Sequence, residues 1–538
     1  MGGAPQLPSW KAIARHLGCS VRSARRWERE AGLPVHRRVR GTRAGVFAEA
    51  AQLDAWQEAR TRRAAAAPAA TASGRPSIAV LSFADLSAAQ DAGHLAAGLA
   101  EEVTTLLTRV QALRVIARAS AASLPARARR SSQIGQLLGA RYLLAGSVRV
   151  AGGRLRVAAQ LIDAGTDTQL WAEAQEGPLG EVFAIQERLA RRIVAALEVR
   201  LSAEESGRLG ARSIDDLAAY ECYLRARQEL WRWRADSIER AVRLLRQALA
   251  IIGPNARLYA ALGVAYLQYR EAGIDLGAAP LRRASECVRR LLELEGESAA
   301  ALRLRGWISY ARADIQAAVR DLKAALAAQS DSDTLLLLCN CYLISGRVAE
   351  ARPLIRRLGE LDPLTPLTRC MPAFADLLEG ELAAAVAPYR QMFVMDRGNP
   401  LARLFYAWVL IMNGRVAAAA RLARACPPEV RATPPGWILD FLVAAARGRL
   451  TPRAARLPSA VRRAGRGSEM YGRFLAQGFA LAARPREALR WLRLAVGRGF
   501  INYPFLARHD PTLAALRGER AWAALLGEVR RRWEAFEA

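Results

Sequence analysis

DTLLLLCNCYLISGRVAEARPLIRRLGELDP, residues 333–363, is a helix-sized apolar run, a glycine, and a second helical pattern. Gly346 fits the joint because a chain that ends one helix in a left-handed turn pays least for it at glycine. The same residue recurs: Gly346, Gly380, Gly414 and Gly448 stand 34 residues apart, and Ala351, Ala385 and Ala419 follow the first three at a constant offset. The small alanine lets the two helices of a pair approach closely. From about residue 215 to the end nearly everything reads as helix, so these intervals predict a stack of helical pairs.

A 34-residue period is that of the tetratricopeptide repeat, and residues 333–363 resemble one full unit, with Leu338, Tyr342, Gly346, Ala351 and Pro363 at pattern positions. Earlier units are visible around Gly263 with Tyr266, and around Gly306 with Ala318 and Ala325, at spacings that include insertions. The final stretch, GFINYPFLARHDPTLAALRGERAWAALLGEVRRRWEAF, resembles the terminal cap of such arrays. Its Phe500, Tyr503, Phe505, Trp522 and Trp533 read as cap packing, since a solenoid must hide its last apolar face. The resemblance implies a concave groove that binds a protein or peptide partner.

Ahead of the repeats, SIAVLSF (77–83) is a short β-rich run followed by a helical pattern through Leu95, Leu99, Val103, Leu106 and Leu107. LRVIAR (113–118) is a second strand and SSQIGQLLG (131–139) a second helix. A hairpin turning at Gly152 and Gly153, a strand at TQLWAEAQ and a helix from Val182 to about Leu201 complete an α/β unit. Residues 77 to about 200 resemble the TolB-like N-terminal α/β domain, although Ser82 stands where proline is usual. That resemblance implies an architecture and no ligand. ARTRRAAAAPAATASGRP (59–76) has no apolar face and reads as a linker.

The N-terminal segment SWKAIARHLGCSVRSARRWEREAG (9–32) places Ser9 as a cap before an apolar stripe of Trp10, Ile13, Ala14 and Leu17, which Gly18 stops. Ser20 can cap a second helix, on which Arg22, Arg25, Arg26 and Arg29 share one face while Val21, Ala24 and Trp27 pack inward. A charge run by itself is a solvated helix face; the short glycine turn, the cap and the basic hairpin that follows distinguish this one. That hairpin, within LPVHRRVRGTRAGVFAEAAQLDAW, has Arg40, Gly41, Thr42 and Arg43 at its tip. The segment resembles MerR-like and excisionase-like winged helix-turn-helix domains, with Arg26 where MerR proteins commonly have an aromatic residue. The resemblance implies binding of double-stranded DNA by Ser20, Arg22, Ser23, Arg25, Arg26, Arg29, Arg38, Arg40 and Arg43, the helix in a major groove and the wing on the backbone.

Charge agrees with that placement. The net charge is +29, and all but Lys11 and Lys323 of the 79 basic residues are arginines. Residues 1–63 hold 13 basic against 5 acidic side chains, whereas residues 76–208 hold 15 against 13. Charge is densest where a polyanion is expected. The seven cysteines, at 19, 222, 287, 339, 341, 370 and 426, lack metal or CxxC spacing and read as core residues in a reducing compartment. No apolar run is long enough for a membrane span, and MGGAPQLPSW has no secretion-signal pattern, so a cytoplasmic location is expected.

Enzyme chemistry finds no foothold. Neither lysine follows a P-loop glycine, and His16, His36, His94 and His509 include no HExxH pair. His94, near Asp85 and Asp91, reads as a solvated loop residue rather than a proton relay. The sequence therefore predicts a multidomain, mainly α protein: a winged helix-turn-helix in 1–60, a linker in 61–76, an α/β domain in 77–208 and a tetratricopeptide solenoid in 215–538. The expected function is DNA-binding transcriptional regulation with a partner on the repeats, no enzyme activity, no cofactor, and a homodimer as the usual way for one small domain to bind DNA tightly. The alternatives are an interaction scaffold with no specific operator and, more remotely, a cyclase-like signalling enzyme.

Overall fold

The computed structural model describes residues 6–7, 9–16, 33–40, 43–50, 52–53, 75–89, 92–125, 128, 130–197, 199, 202, 214–230, 235–271, 274–275, 277–453 and 455–538. They belong to two compact units, 1–74 and 75–538. In the first, β1 (Gln6–Leu7), β2 (His36–Arg40) and β3 (Arg43–Glu49) form an antiparallel sheet in the order β1–β3–β2. The helix Trp10–His16 begins as its sequence predicts, with Ser9 Oγ accepting the Ala12 amide at 3.2 Å. Ile13, Leu33, Ala48 and Leu53 are buried together as a small core.

The second unit opens with a mixed sheet of β4 (Ser77–Val80), β5 (Ala84–Asp85), β6 (Arg114–Val115), β7 (Tyr142–Ala151), β8 (Arg154–Asp163) and β9 (Thr168–Pro178). Its order is β6–β4–β7–β8–β9, with β5 beside β7; the contacts among β4, β5, β6 and β7 are parallel, and β7–β8–β9 is an antiparallel meander. Gly152 and Gly153, at φ +56° and +72°, make the two-residue turn between β7 and β8. Leu144, Val157 and Leu161 on the sheet pack with Leu99, Val103 and Leu107 of the helix Gly93–Thr108 and with Ile185, Leu189 and Ile193 of the helix Val182–Ala196. The expected strand over 113–118 is shorter than its pattern. Ile116 still donates to Ile78, but the Ala117 amide turns to the carbonyl of Leu361 at 2.6 Å and Arg118 starts a helix, Arg118–Ala122.

From Leu217 onward eight helix pairs follow one another among the described residues, from Leu217–Leu230 with Ala235–Ile252 to Glu469–Leu481 with Pro485–Gly497, before a last helix, Arg520–Glu534. The 34-residue register is structural. Gly346, Gly380, Gly414 and Gly448 all have left-handed backbones, at φ +72°, +100°, +69° and +65°, and each follows the first helix of its pair. Ala351, Ala385 and Ala419 are fully buried. Two further pairs escape the glycine register because alanine occupies the same turn: Ala313 at φ +71° and Ala483 at φ +54°. Helix starts are marked by side-chain caps at Ser298, Asp314, Asp331, Asn399 and Thr433, each contributing about 1 kcal/mol.

Of the C-terminal aromatics, Phe500, Phe505 and Trp522 are buried and Tyr503 and Trp533 half-buried, and the segment packs against the middle of the array as well as its end. Phe500 and Phe505 are fully buried, and Ile501 N donates to the Ile344 carbonyl at 3.0 Å while Asn502 Nδ2 donates to Leu343 at 2.9 Å. Arg347 Nη2 reaches the carbonyls of Trp533 and Phe536 at 2.6 and 2.7 Å, and its guanidinium lies 5.2 Å from the Trp533 ring. The six described cysteines are buried and free, and burial pushes the Cys287, Cys339 and Cys370 thiols up to about 12. Cys19 lies outside the described residues.

Candidate functional site

The residues expected to meet DNA divide in two. Ser20, Arg22, Ser23, Arg25, Arg26 and Arg29 lie outside the described residues. Arg38 and Arg40 are on β2 and Arg43 begins β3, with Arg40 paired to Arg43 and Arg38 to Gly45 across the ladder. The basic strand pair foreseen from the sequence is therefore formed. His36, at the opposite end of β2, hydrogen-bonds Gln52 Oε1 at 2.9 Å and lies 5.2 Å from the Phe47 ring.

In the larger unit the α/β module and the repeats, separate in the sequence reading, are joined by a buried polar seam. Ser120 is fully buried; its hydroxyl donates to Asp362 Oδ1 at 2.5 Å and accepts the Leu364 amide at 2.8 Å. Asp362 also accepts the hydroxyls of Thr365 and Thr368, at 2.6 and 2.8 Å. Beside it Arg114 spans two segments, donating to the carbonyls of Glu360 and Gly139 at 2.7 and 2.5 Å. Leu364 enters the small core of Ile116, Leu138 and Leu143. Nothing in the local sequence marks Ser120 or Asp362, because their partners lie more than 240 residues apart.

A second set of links starts on the helix Gly93–Thr108. Glu101 pairs with Arg118 and Arg227, both at 2.6 Å, and Glu102 pairs with Arg257. Burial pushes the Glu101 carboxyl up, but Arg227 and Arg118 outweigh it and hold it below its usual value. Tyr220, fully buried, accepts from Gln186 Nε2 at 2.5 Å, and burial raises its phenol. The module is thus held by charge as well as by apolar contact.

The open depressions among the described residues of this unit include two of similar size. One, of about 440 Å³, is lined by Gly93, His94, Arg225, Gln228, Glu229 and Arg240. His94 is a half-buried residue of a helix's first turn, not a loop residue as expected, and Asp85 nearby accepts the Ser87 amide at 2.9 Å. Arg240 is already taken by Glu229 at 2.8 Å and Asp236 at 3.0 Å, so the wall is a closed ion-pair network. The other, of about 470 Å³, sits between the turn at Gly346 and the segment of Asn502, Pro504 and His509. Among the described residues no group of three or more His, Cys, Asp or Glu side chains could hold a metal ion, and no helix is long and apolar enough to cross a membrane.

One repeat pair carries three exposed large apolar side chains that the sequence reading missed. Leu367, on the helix Pro366–Leu378, is 45% exposed, and Val394 and Met395, on its partner Val386–Met395, are 48% and 43% exposed. Arg369 Nη1 meets the Met395 sulfur at 4.0 Å, which ties the two helices on that side.

No protein-family model matches the chain. It is 38% identical over 200 residues to a Rhizobium meliloti protein named "Putative adenylate cyclase 3", a match covering 37% of this chain and 34% of that protein. The chain thus spans about a third of the length of the curated relative it matches. Among solved structures, it is similar to a thermophilic tetratricopeptide protein of Thermus thermophilus at 17% identity and a TM-score of 0.30, over 36% of this chain and all of that one. A tetratricopeptide repeat protein of Parabacteroides merdae is similar at 13% identity and a TM-score of 0.32, over 52% of this chain and all of that one. The helical-repeat architecture rests on the chain's own pairs, with left-handed glycines 34 residues apart and alanines buried between helices.

Proposed function

We propose that the chain is an interaction scaffold whose repeat array takes a protein partner on the pair Pro366–Met395. The observation that carries this reading is the exposure of Leu367, Val394 and Met395 on one helical pair. Large apolar side chains exposed on two neighbouring helices favour a partner that buries them, and methionine adapts its shape to such a partner. Part of the repeat array is already used within the chain, since it holds the α/β module at Asp362, Arg227 and Arg257. Cross-linking in the source cells with the native chain and with a Leu367→Asp/Met395→Asp chain, followed by titration of the purified partner, tests it. The double variant is expected to lose at least about tenfold in affinity, as loss of interface anchors does. Unchanged binding refutes this location.

A second reading, a DNA-binding regulator, is favoured by the strand pair that carries Arg38, Arg40 and Arg43. Titration against duplex from the gene's own upstream region and against scrambled duplex tests it. Arg25→Ala or Arg26→Ala is expected to cost about 1–3 kcal/mol on the preferred duplex. Equal affinity for both duplexes removes the operator. In both readings the chain has no catalytic role of its own, and formation of cyclic nucleotide from a nucleoside triphosphate by the purified chain would refute that.

A further inference from the structure

Between Asp440 and Glu469 the chain carries seven arginines and no acidic residue. Arg447, Arg449, Arg453 and Arg456 lie on the connection after the helix Pro434–Ala446, and Arg462, Arg463 and Arg466 lie on the helix Ser459–Gly467. All seven are exposed, and among the described residues none has an ion-pair partner; the nearest pair along the chain is Arg431 with Asp440. Other arginines of the array are braced, such as Arg305 by Asp321 at 2.9 Å and Arg352 by Asp376 at 2.9 Å. Arg498 Nε donates to the carbonyl of Arg466 at 2.8 Å, bringing another guanidinium to the same edge.

Like charges one helical turn apart, as at Arg462 and Arg466, destabilise a bare helix, so the arrangement favours an anion that relieves it. Three features select the kind of anion. The segment 441–468 has no exposed aromatic side chain on which an unpaired base could stack. None of the exposed large hydrophobics of the described chain lies beyond Met395, so an apolar anchor for a protein interface or a wedge for a lipid surface is missing here. What remains is charge alone, which is how a protein holds a regular phosphate backbone.

We propose that residues 447–466 form a surface that grips the phosphate backbone of duplex nucleic acid without reading its sequence. The surface lies on the repeat array and requires neither the protein-partner reading nor the N-terminal one.

The test is fluorescence anisotropy of the full chain with a short labelled duplex over a series of salt concentrations. The change Arg453→Gln, Arg456→Gln, Arg462→Gln and Arg463→Gln is compared with Arg38→Gln, Arg40→Gln and Arg43→Gln in the N-terminal unit. Each lost phosphate contact lowers the slope of log affinity against log salt by about 0.9, so the first variant is expected to lose about 3 to 4 in slope on any duplex sequence. The same four positions changed to lysine should keep most of the slope, and the exposed changes should leave the melting temperature of the chain in place. A slope unchanged by the glutamine variant overturns the proposal, whatever the N-terminal variant does. Loss confined to an acidic polypeptide or to anionic vesicles, with duplex binding intact, overturns it equally.

Discussion

Placing alanine at each of the four register glycines separates two roles that the turns combine. At Gly414 and Gly448 a Cβ would meet nothing within 4 Å, so only the left-handed backbone is strained. That strain is about 1–2 kcal/mol, less about 0.4–1 kcal/mol recovered because alanine stiffens the unfolded chain, a net loss near 1 kcal/mol. At Gly380 the added Cβ would lie 2.5 Å from His509 Nδ1, and at Gly346 2.9 Å from Trp533 Nε1 and 3.1 Å from Asn502 Oδ1. Those contacts belong to the folded-back C-terminal segment, and crowding it adds about 1–3 kcal/mol. Because a chain of several units need not unfold in one step, native-state hydrogen exchange is the sharper assay. The amide of Ile501, bonded to Ile344, should exchange faster in Gly380→Ala and Gly346→Ala and keep its protection in Gly414→Ala and Gly448→Ala. Equal effects at all four positions would refute the assignment of the C-terminal segment as a brace on these turns.

Two further outcomes are expected. Ser120→Ala leaves the Leu364 amide buried without its acceptor and should cost about 1–3 kcal/mol, read as faster exchange at Leu364 and Ala117; a loss below the error of the measurement would mean that the seam is not a fastening. Burial, with the neighbouring Glu271 carboxylate, pushes the Glu469 carboxyl up to about 7 against the pull of Arg473. The folded chain then holds a proton that the unfolded chain releases, so stability falls as pH rises from 4.5 towards 7, by at most about 1.4 kcal/mol per unit. Glu469→Gln should flatten the melting-temperature profile over that window, and a profile identical to the parent's would place the carboxyl in contact with water.

The repeats were legible because their constraint is local and recurrent: a left-handed turn selects glycine at Gly346, Gly380, Gly414 and Gly448, and a close helix contact selects alanine at Ala351. The pairs turning at Ala313 and Ala483 stand outside the glycine register for the converse reason, since an alanine occupies the left-handed turn where glycine would be easier; the first was visible only through Gly306, Ala318 and Ala325. The hairpin at Gly152 and Gly153 was equally readable. The seam of Ser120 with Asp362, and the return of Asn502 to Leu343, were not, because each half is an ordinary polar residue whose meaning lies in a distant partner. Of the expected DNA contacts, Arg38, Arg40 and Arg43 lie on the paired strands β2 and β3, and the exposed Leu367 and Met395 went unnoticed because an apolar residue in a helix ordinarily reads as core.

The reach of Arg114 sets a clock on biosynthesis. Its carbonyl partner at Glu360 lies 246 residues further on, and a ribosome adding ~5–20 residues per second delivers it roughly 12–50 s after Arg114. For that interval the strand pairing at β4 and β6 exists without its last acceptor, and the surface that Leu364 will cover faces the cell. A nascent chain in this condition is a natural client for chaperones. Slowing translation between residues 215 and 360 should therefore lower the yield of folded protein more than the same delay placed after residue 364.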